Sequence, residues 1–448
     1  MREYAGAGRQ PGPAADHGAS RQRGAARGRS DLLERYRAVR GTTEALCAPL
    51  EIEDFVVQAS ADASPAKWHL AHTSWFFETF LLEPFGRNYR SYDKTFAYLF
   101  NSYYETVGPF FARPLRGHLS RPTVEDVFRY RHSVDERMAE LLSGDALAPE
   151  IAVRTELGLN HEAQHQELIL TDLKVLFGVN PLRPAYRAVG NDARHPPAGA
   201  EPARAAGVEG SGWQRVAPGL RHIGHAGDGF SFDNESPRHQ VYLHPAELAE
   251  RPVSNGQYMA FIEDGGYRRA EFWLSEAWKA VSERGWTAPL YWERSGAEWW
   301  NYTLAGMRRV DEDAPVCHVS YYEADAYARW AGCRLPTEME WETVAAALPV
   351  QGNFLESRLL QPRAAAAPQW YGDVWVWTQS AYTPYPGSER LSGSLGEYNG
   401  KFMVNQLVLR GGSCASPAWH IRPTYRNFFY GPDRWQFTGL RLARDLRD

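Results

Sequence analysis

Leu157-Gly158-Leu159-Asn160-His161-Glu162-Ala163-Gln164-His165-Gln166-Glu167-Leu168-Ile169 sets two imidazoles four residues apart inside an apolar periodic segment. Leu157, Leu159, Leu168, Ile169, Leu173 and Leu176 have helical spacing, and neither Pro nor Gly falls between Asn160 and Phe177. Four residues make about one turn, so both rings leave the same face. A helix face carrying His161 and His165 suits a metal ion, with Gln164 and Glu167 beside the rings as an amide and a carboxylate. The same letters fit H-E-x-x-H, so a zinc hydrolase with Glu162 as general base stands beside that reading. A third ligand has to separate the two.

Working outward, helical patterns cover residues 31–48, 64–84, 123–143 and 150–177, which predicts an antiparallel four-helix bundle over 31–182. Ser64-Pro65 reads as a cap followed by proline at the first helical position, and Ser120 to Thr123 with Pro122 as another start. The second helix contains Trp68-His69-Leu70-Ala71-His72-Thr73-Ser74-Trp75-Phe76. His72 shares a face with Trp68, Trp75 and Phe76, which makes it the expected third ligand; His69 is its competitor. Three imidazoles from two helices would leave open positions on a divalent ion, but imidazole suits zinc, iron, copper and nickel alike. Between the second and third helices lies a long aromatic loop, Tyr89 to Leu119, of a length usually kept for function.

Residues 183–212 are rich in Pro, Ala, Gly and Arg and read as an interdomain linker. From residue 213 to 448 the texture changes to short strand-like runs, Gly-rich turns and tryptophans, with helices near Tyr321–Ala331 and Thr337–Ala347. That is an α+β domain. Residues 1–30 lack Leu, Ile, Val and Phe, and are expected to form a disordered tail.

Composition narrows the function. A net charge of −5 without a basic stripe gives no nucleic-acid footprint, and no run of 18 apolar residues offers a membrane span. Four scattered cysteines without a CxxC pair fit a reducing, cytoplasmic setting. The 16 Trp, 23 Tyr and 20 Phe suit irregular cores and flat pocket walls.

Several segments resemble the ergothioneine sulfoxide synthase (EgtB) family. Ser64 to His72, Phe100-Asn101-Ser102-Tyr103-Tyr104 and His161 to Glu167 look like its DinB-like N-terminal bundle. Arg334-Leu335-Pro336-Thr337-Glu338, Gly372-Asp373-Val374-Trp375, Arg410-Gly411-Gly412-Ser413 and Gly439-Leu440-Arg441 look like its C-terminal formylglycine-generating-enzyme-like (C-type-lectin-like) domain. The resemblance implies a non-haem Fe(II) enzyme that uses dioxygen to join sulfur to imidazole C2 of hercynine, the trimethylated betaine of histidine. It makes His72, His161 and His165 the iron ligands, sets Gln164 and Asn427 toward hercynine, and places Phe428 for a cation–π contact with the trimethylammonium group. It offers Tyr103 or Tyr104 as the proton donor, a role that suits a phenol whose ordinary pKa is about 10.

A sulfur donor bearing a carboxylate calls for an arginine clamp, for which Arg113, Arg422, Arg426 and Arg434 are candidates. Phe429, where the actinobacterial members are acidic, argues against γ-glutamylcysteine. Ala59-Ser60-Ala61-Asp62, Glu105, Val376 and Tyr430 also depart from the pattern of cysteine-using members. They leave cysteine and the selenosugar of the related selenoneine synthases (SenA) both open. A zinc-dependent DinB-type thiol transferase or hydrolase and a non-catalytic lectin-like binder are the competing readings. Oligomeric state stays open too.

Overall fold

Helices α1 (His17–Cys47), α2 (Ala66–Phe77), α3 (Val124–Ser143) and α4 (Pro149–Val179) form the N-terminal bundle in a computed structural model of the chain. The structure describes residues 17–144, 147–187, 212–365 and 368–446. The expected tail lies outside these residues over 1–16, as does most of the expected linker, 188–211; over 17–30 the backbone is described as the start of α1.

All twelve residues of α2 are buried, because it is surrounded on every side, and its chain continues through a π-helical turn, Glu78–Leu82. Gly158 sets how close α4 comes: a Cβ there would lie 2.5 Å from the Phe77 ring. This close approach brings the Phe76 ring to 4.5 Å from that of His161.

The start of α2 differs from the expectation at Ser64. The cap position is Pro65, and Ser64 is instead drawn into tertiary contacts, its N–H donating to Asp172 Oδ2 at 2.7 Å and its Oγ accepting from Arg116. Thr123 does cap α3, paired reciprocally with Asp126.

The C-terminal half is built around a four-stranded sheet of β1 (Trp375–Ala381), β2 (Gln406–Arg410), β3 (Asn427–Tyr430) and β4 (Thr438–Leu440), in the order β3-β2-β1-β4. β1 runs antiparallel to β2 and parallel to β4, and Asn427 and Phe428 pair with Leu409 and Val408. A second sheet joins strands Trp213–Val216, Ala246–Ala249 and Ala443–Asp445, closing the beginning of this half on its end. Helices α5 (Asn255–Glu263), α6 (Ser275–Arg284), α7 (Tyr321–Trp330) and α8 (Glu338–Ala345) pack around the sheets. The last two are the expected pair. No helix among the described residues is long and apolar enough to cross a membrane.

The halves are joined through α4. Glu167 is half-buried and accepts from Trp375 Nε1 at 2.8 Å and from the Ser413 and Ser416 hydroxyls at 2.6 Å each. Burial pushes its carboxyl up in pKa against the pull of these three donors. Glu167 lies six residues after His161, so the contact that docks the domains also holds the ligand helix.

Candidate metal and substrate site

His72 on α2 and His161 and His165 on α4 are all buried, and their ligand atoms lie within 4.8 Å of one another. His72 Nε2 and His161 Nε2 face each other at 3.2 Å. Two nitrogens each about 2.1 Å from one ion stand roughly 3.0–3.4 Å apart, so the spacing fits a shared cation. Behind the ring, His72 Nδ1 donates to the Phe100 carbonyl at 2.6 Å, which directs the lone pair on Nε2 into the site. Burial pushes His161 down to about 3, and His72 and His165 well below the ordinary histidine range. The rings are therefore neutral at pH 7 and can donate electron pairs. The donor set fits a divalent transition metal.

Glu162 does not face this site. Burial pushes its carboxyl up, but Arg131 and Arg40 outweigh that and hold it down to about 2. Arg40 donates to it at 2.9 Å, Arg131 at 2.6 Å and Thr43 at 2.7 Å. The match to H-E-x-x-H is thus a match of letters, since the carboxylate is committed to tying helices α1, α3 and α4 together.

Gln164 points across the domain boundary. Its Oε1 accepts from Tyr398, and its Nε2 donates to Tyr425 at 2.7 Å. Tyr425 lies 3.1 Å from His420 Nε2, and His420 Nδ1 lies 2.9 Å from Asn160 Oδ1, so the chain returns to α4 one turn before Gln164. The amide is oriented from both ends and keeps one N–H and one lone pair for a ligand. The Tyr398 ring lies 5.6 Å from that of His161 and stacks on Phe232 at 5.4 Å.

Tyr103 and Tyr104 stack at 4.7 Å. Tyr104 is fully buried against Trp75 and Phe80, and the neighbour of its phenol is that of Tyr103. Burial pushes Tyr103 up to about 12 and Tyr104 well above its ordinary value, so both stay protonated at neutral pH. Their loop is clasped from the other half: Lys401 donates to the Tyr103 carbonyl at 2.6 Å, and Glu397 accepts from the backbone of Glu105 and Thr106 at 3.1 and 2.9 Å.

An aromatic wall leads away from Tyr103, through Phe402 at 4.9 Å to Phe428 at 6.0 Å, which stacks on Tyr382 at 4.0 Å. Half-buried Asp233 interacts electrostatically with Tyr103, Tyr398 and Tyr382. Asn427 spends its Oδ1 on the Phe428 N–H at 2.9 Å, leaving its amide nitrogen.

Three of the four expected clamp arginines are already neutralised. Arg422 pairs with buried Glu235, Arg426 with Glu338 at 2.9 Å, and Arg434 with Glu323 at 2.8 Å. A charge paired inside the protein has less to offer a ligand, which weighs against these three as clamps. Arg113 is exposed and makes no ion pair among the described residues.

Arg116, one turn on, carries a stronger signal that residue patterns did not single out. Its side chain is 3 % exposed, donates only to the hydroxyls of Ser64 at 2.9 Å and Ser102 at 3.2 Å, and leaves Nε without a partner. Its guanidinium lies 3.4 Å from the centre of the Trp68 ring, on which His72 also stacks at 4.5 Å. A buried cation that feels Asp172 only at a distance and makes no direct ion pair among the described residues is costly, and the Arg113-x-x-Arg116 spacing was the available clue. Tyr398, Tyr425 and His420 had none, because their partners Gln164 and Asn160 are more than 200 residues away in sequence.

The sulfatase-modifying factor enzyme 1-like domain family matches residues 200–370 and 359–446. Over 417 residues the chain is 32% identical to the hercynine oxygenase of Mycolicibacterium thermoresistibile, covering 86% of this chain and 88% of that one. It is 33% identical to the hercynine oxygenase of Mycolicibacterium smegmatis over 65% of this chain and 72% of that one. To the formylglycine-generating enzyme of Streptomyces coelicolor it is 38% identical, over 34% of this chain and 53% of that one.

Proposed function

Because the chain belongs to the hercynine oxygenase family, we propose that it uses Fe(II) and dioxygen to join a carboxylate-bearing thiol, with cysteine the simplest case, to C2 of the hercynine imidazole. The observation that carries this reading is the set of three neutral, buried imidazoles beside Gln164, whose amide is held by Tyr398 and Tyr425 of the other half.

His72, His161 and His165 would hold the metal, which when bound supplies the one-electron chemistry that dioxygen requires. Gln164, fixed by Tyr398 and Tyr425, orients the hercynine imidazole through its remaining N–H and lone pair. Phe428, Phe402 and Tyr382, with the Asp233 carboxylate nearby, suit the trimethylammonium end by cation–π and ionic attraction. Tyr104 or Tyr103 delivers the proton, from a phenol that stays protonated because it is buried. Closure of the two halves over the site excludes bulk water.

Arg116 favours a donor with a carboxylate over a neutral selenosugar. Replacing it by methionine (Arg116→Met) should raise KM for the thiol by roughly 30- to 150-fold, the worth of a charged hydrogen bond of about 2–3 kcal/mol. The Tm should hold or rise, since an unpaired buried charge is removed. Steady-state kinetics alongside thermal unfolding checks both.

The reading itself is tested by anaerobic loading with Fe(II), addition of hercynine and oxygen, and mass spectrometry with cysteine and a selenosugar in parallel. A C–S product is expected. A C–Se product alone would overturn the donor assignment, and absence of both products would overturn the function.

A further inference from the structure

We infer that Asp172 and His69 are positioning residues for the metal, acting through His165 to decide which of its nitrogens faces the ion. The inference rests on the three-histidine reading above and concerns side chains that touch neither substrate nor metal.

Asp172 lies on α4 seven residues, two turns, beyond His165, and both it and His69 are buried. Its Oδ2 accepts the Ser64 N–H at 2.7 Å and faces His69 Nε2 at 3.0 Å. A carboxylate only accepts, so the proton of a neutral His69 sits on Nε2 and its Nδ1 carries a lone pair. That Nδ1 is 2.8 Å from His165 Nδ1. Two lone pairs at this distance repel, so His165 carries its proton on Nδ1 and presents a bare Nε2 to the site.

The three ligands are thereby held by unequal means. His72 leans on a neutral carbonyl, that of Phe100, whereas His161 Nδ1 has no partner. His165 alone is backed by a full negative charge, relayed through a second imidazole. Electron density drawn from His165 by a bound cation is replenished along this line, which strengthens the ligand and favours the more highly charged state of the metal. The same geometry weighs against His69 as a ligand: it turns its Nδ1 to His165, and its Nε2 to Asp172.

The test is Co(II) binding to the full chain by competition with a chromophoric chelator, with thermal unfolding of the metal-free protein measured beside it. Asp172→Asn and His69→Gln should each weaken Co(II) by about 10- to 100-fold, the usual cost of losing such a partner. The double variant should lose little more, because both act on one line. The Co(II) visible absorption should shift in both single variants, a change that loss of packing alone would not produce, and Asp172→Glu should recover part of the affinity. Wild-type affinity and spectrum in folded single variants would overturn the inference, as would additive losses. Loss of all binding in a folded His69→Gln protein would do so too, by making His69 a ligand. If the wild-type protein binds no Co(II), it is the three-histidine reading that fails.

Discussion

Replacing His161 by alanine should leave a folded protein that holds no stoichiometric metal, with oxygen-dependent turnover reduced by at least about a thousandfold. Such a loss corresponds to roughly 4 kcal/mol of transition-state stabilisation. His161 Nε2 is 3.2 Å from His72 Nε2, and removing one of three ligands leaves two nitrogens that cannot alone define the ion's open positions. The cost in folding is modest, about 1–2 kcal/mol, because a neutral buried ring is exchanged for a small cavity. Metal content and oxygen consumption, with unfolding as the control, check the expectation. Chelation of the wild-type protein followed by added metal sharpens it: Fe(II) should restore turnover and Zn(II) should not. Restoration by zinc without oxygen would favour a DinB-type transferase or hydrolase, and retention of hercynine binding with no turnover in any metal form would favour a pure binder.

Replacing Glu162 by glutamine, the change that would disable a general base, should instead unfold the bundle more readily. Glu162 and Arg131 have no solvent exposure, and the carboxylate also holds Arg40 and Thr43. An amide can accept from one arginine but turns its NH2 toward the other, leaving Arg40 with Asp135 alone or Arg131 with Glu44 alone. Breaking such a pair costs about 3–5 kcal/mol, which for a domain of this size lowers Tm by roughly 10 °C.

The pH dependence follows from the same group. The folded carboxyl is held at about 2, below its ordinary 4.5. Its contribution is therefore fully present above about pH 4.5 and is lost as the pH falls toward 2. Urea unfolding between pH 7 and 3 should show this acid-dependent loss in the wild-type protein, and a smaller one in Glu162→Gln. Metal-loaded kcat per folded molecule should stay near wild type. A collapse of kcat in folded protein would return Glu162 to a catalytic role.

Much of the architecture was legible because it rests on local rules. Periodic apolar residues mark the second, third and fourth bundle helices to within a few residues and the end of the first, whose start at His17 lies well before the expected residue 31, and the His161/His165 spacing places two rings on one face whatever surrounds them. His72 followed from sharing a face with Trp68, Trp75 and Phe76, and its ring does stack on both tryptophans. What could not be read was which charges are already compensated. Arg116, Arg422, Arg426 and Arg434 are alike as letters, yet of these four only Arg116 makes no direct ion pair, because Glu235, Glu338 and Glu323 come from distant segments.

The sequence by itself determined the ligand helices, their facing imidazoles and the two-part organisation, since helix period and residue type act over one or two turns. Only the tertiary structure decided the rest: that Glu162 is an internal counterion, that Asp172 and His69 line up behind His165, and that Tyr398 and Tyr425 hold Gln164. The reason is physical. A hydrogen bond or ion pair reaches about 3 Å, and which groups come that close is set by the packing of elements far apart in sequence.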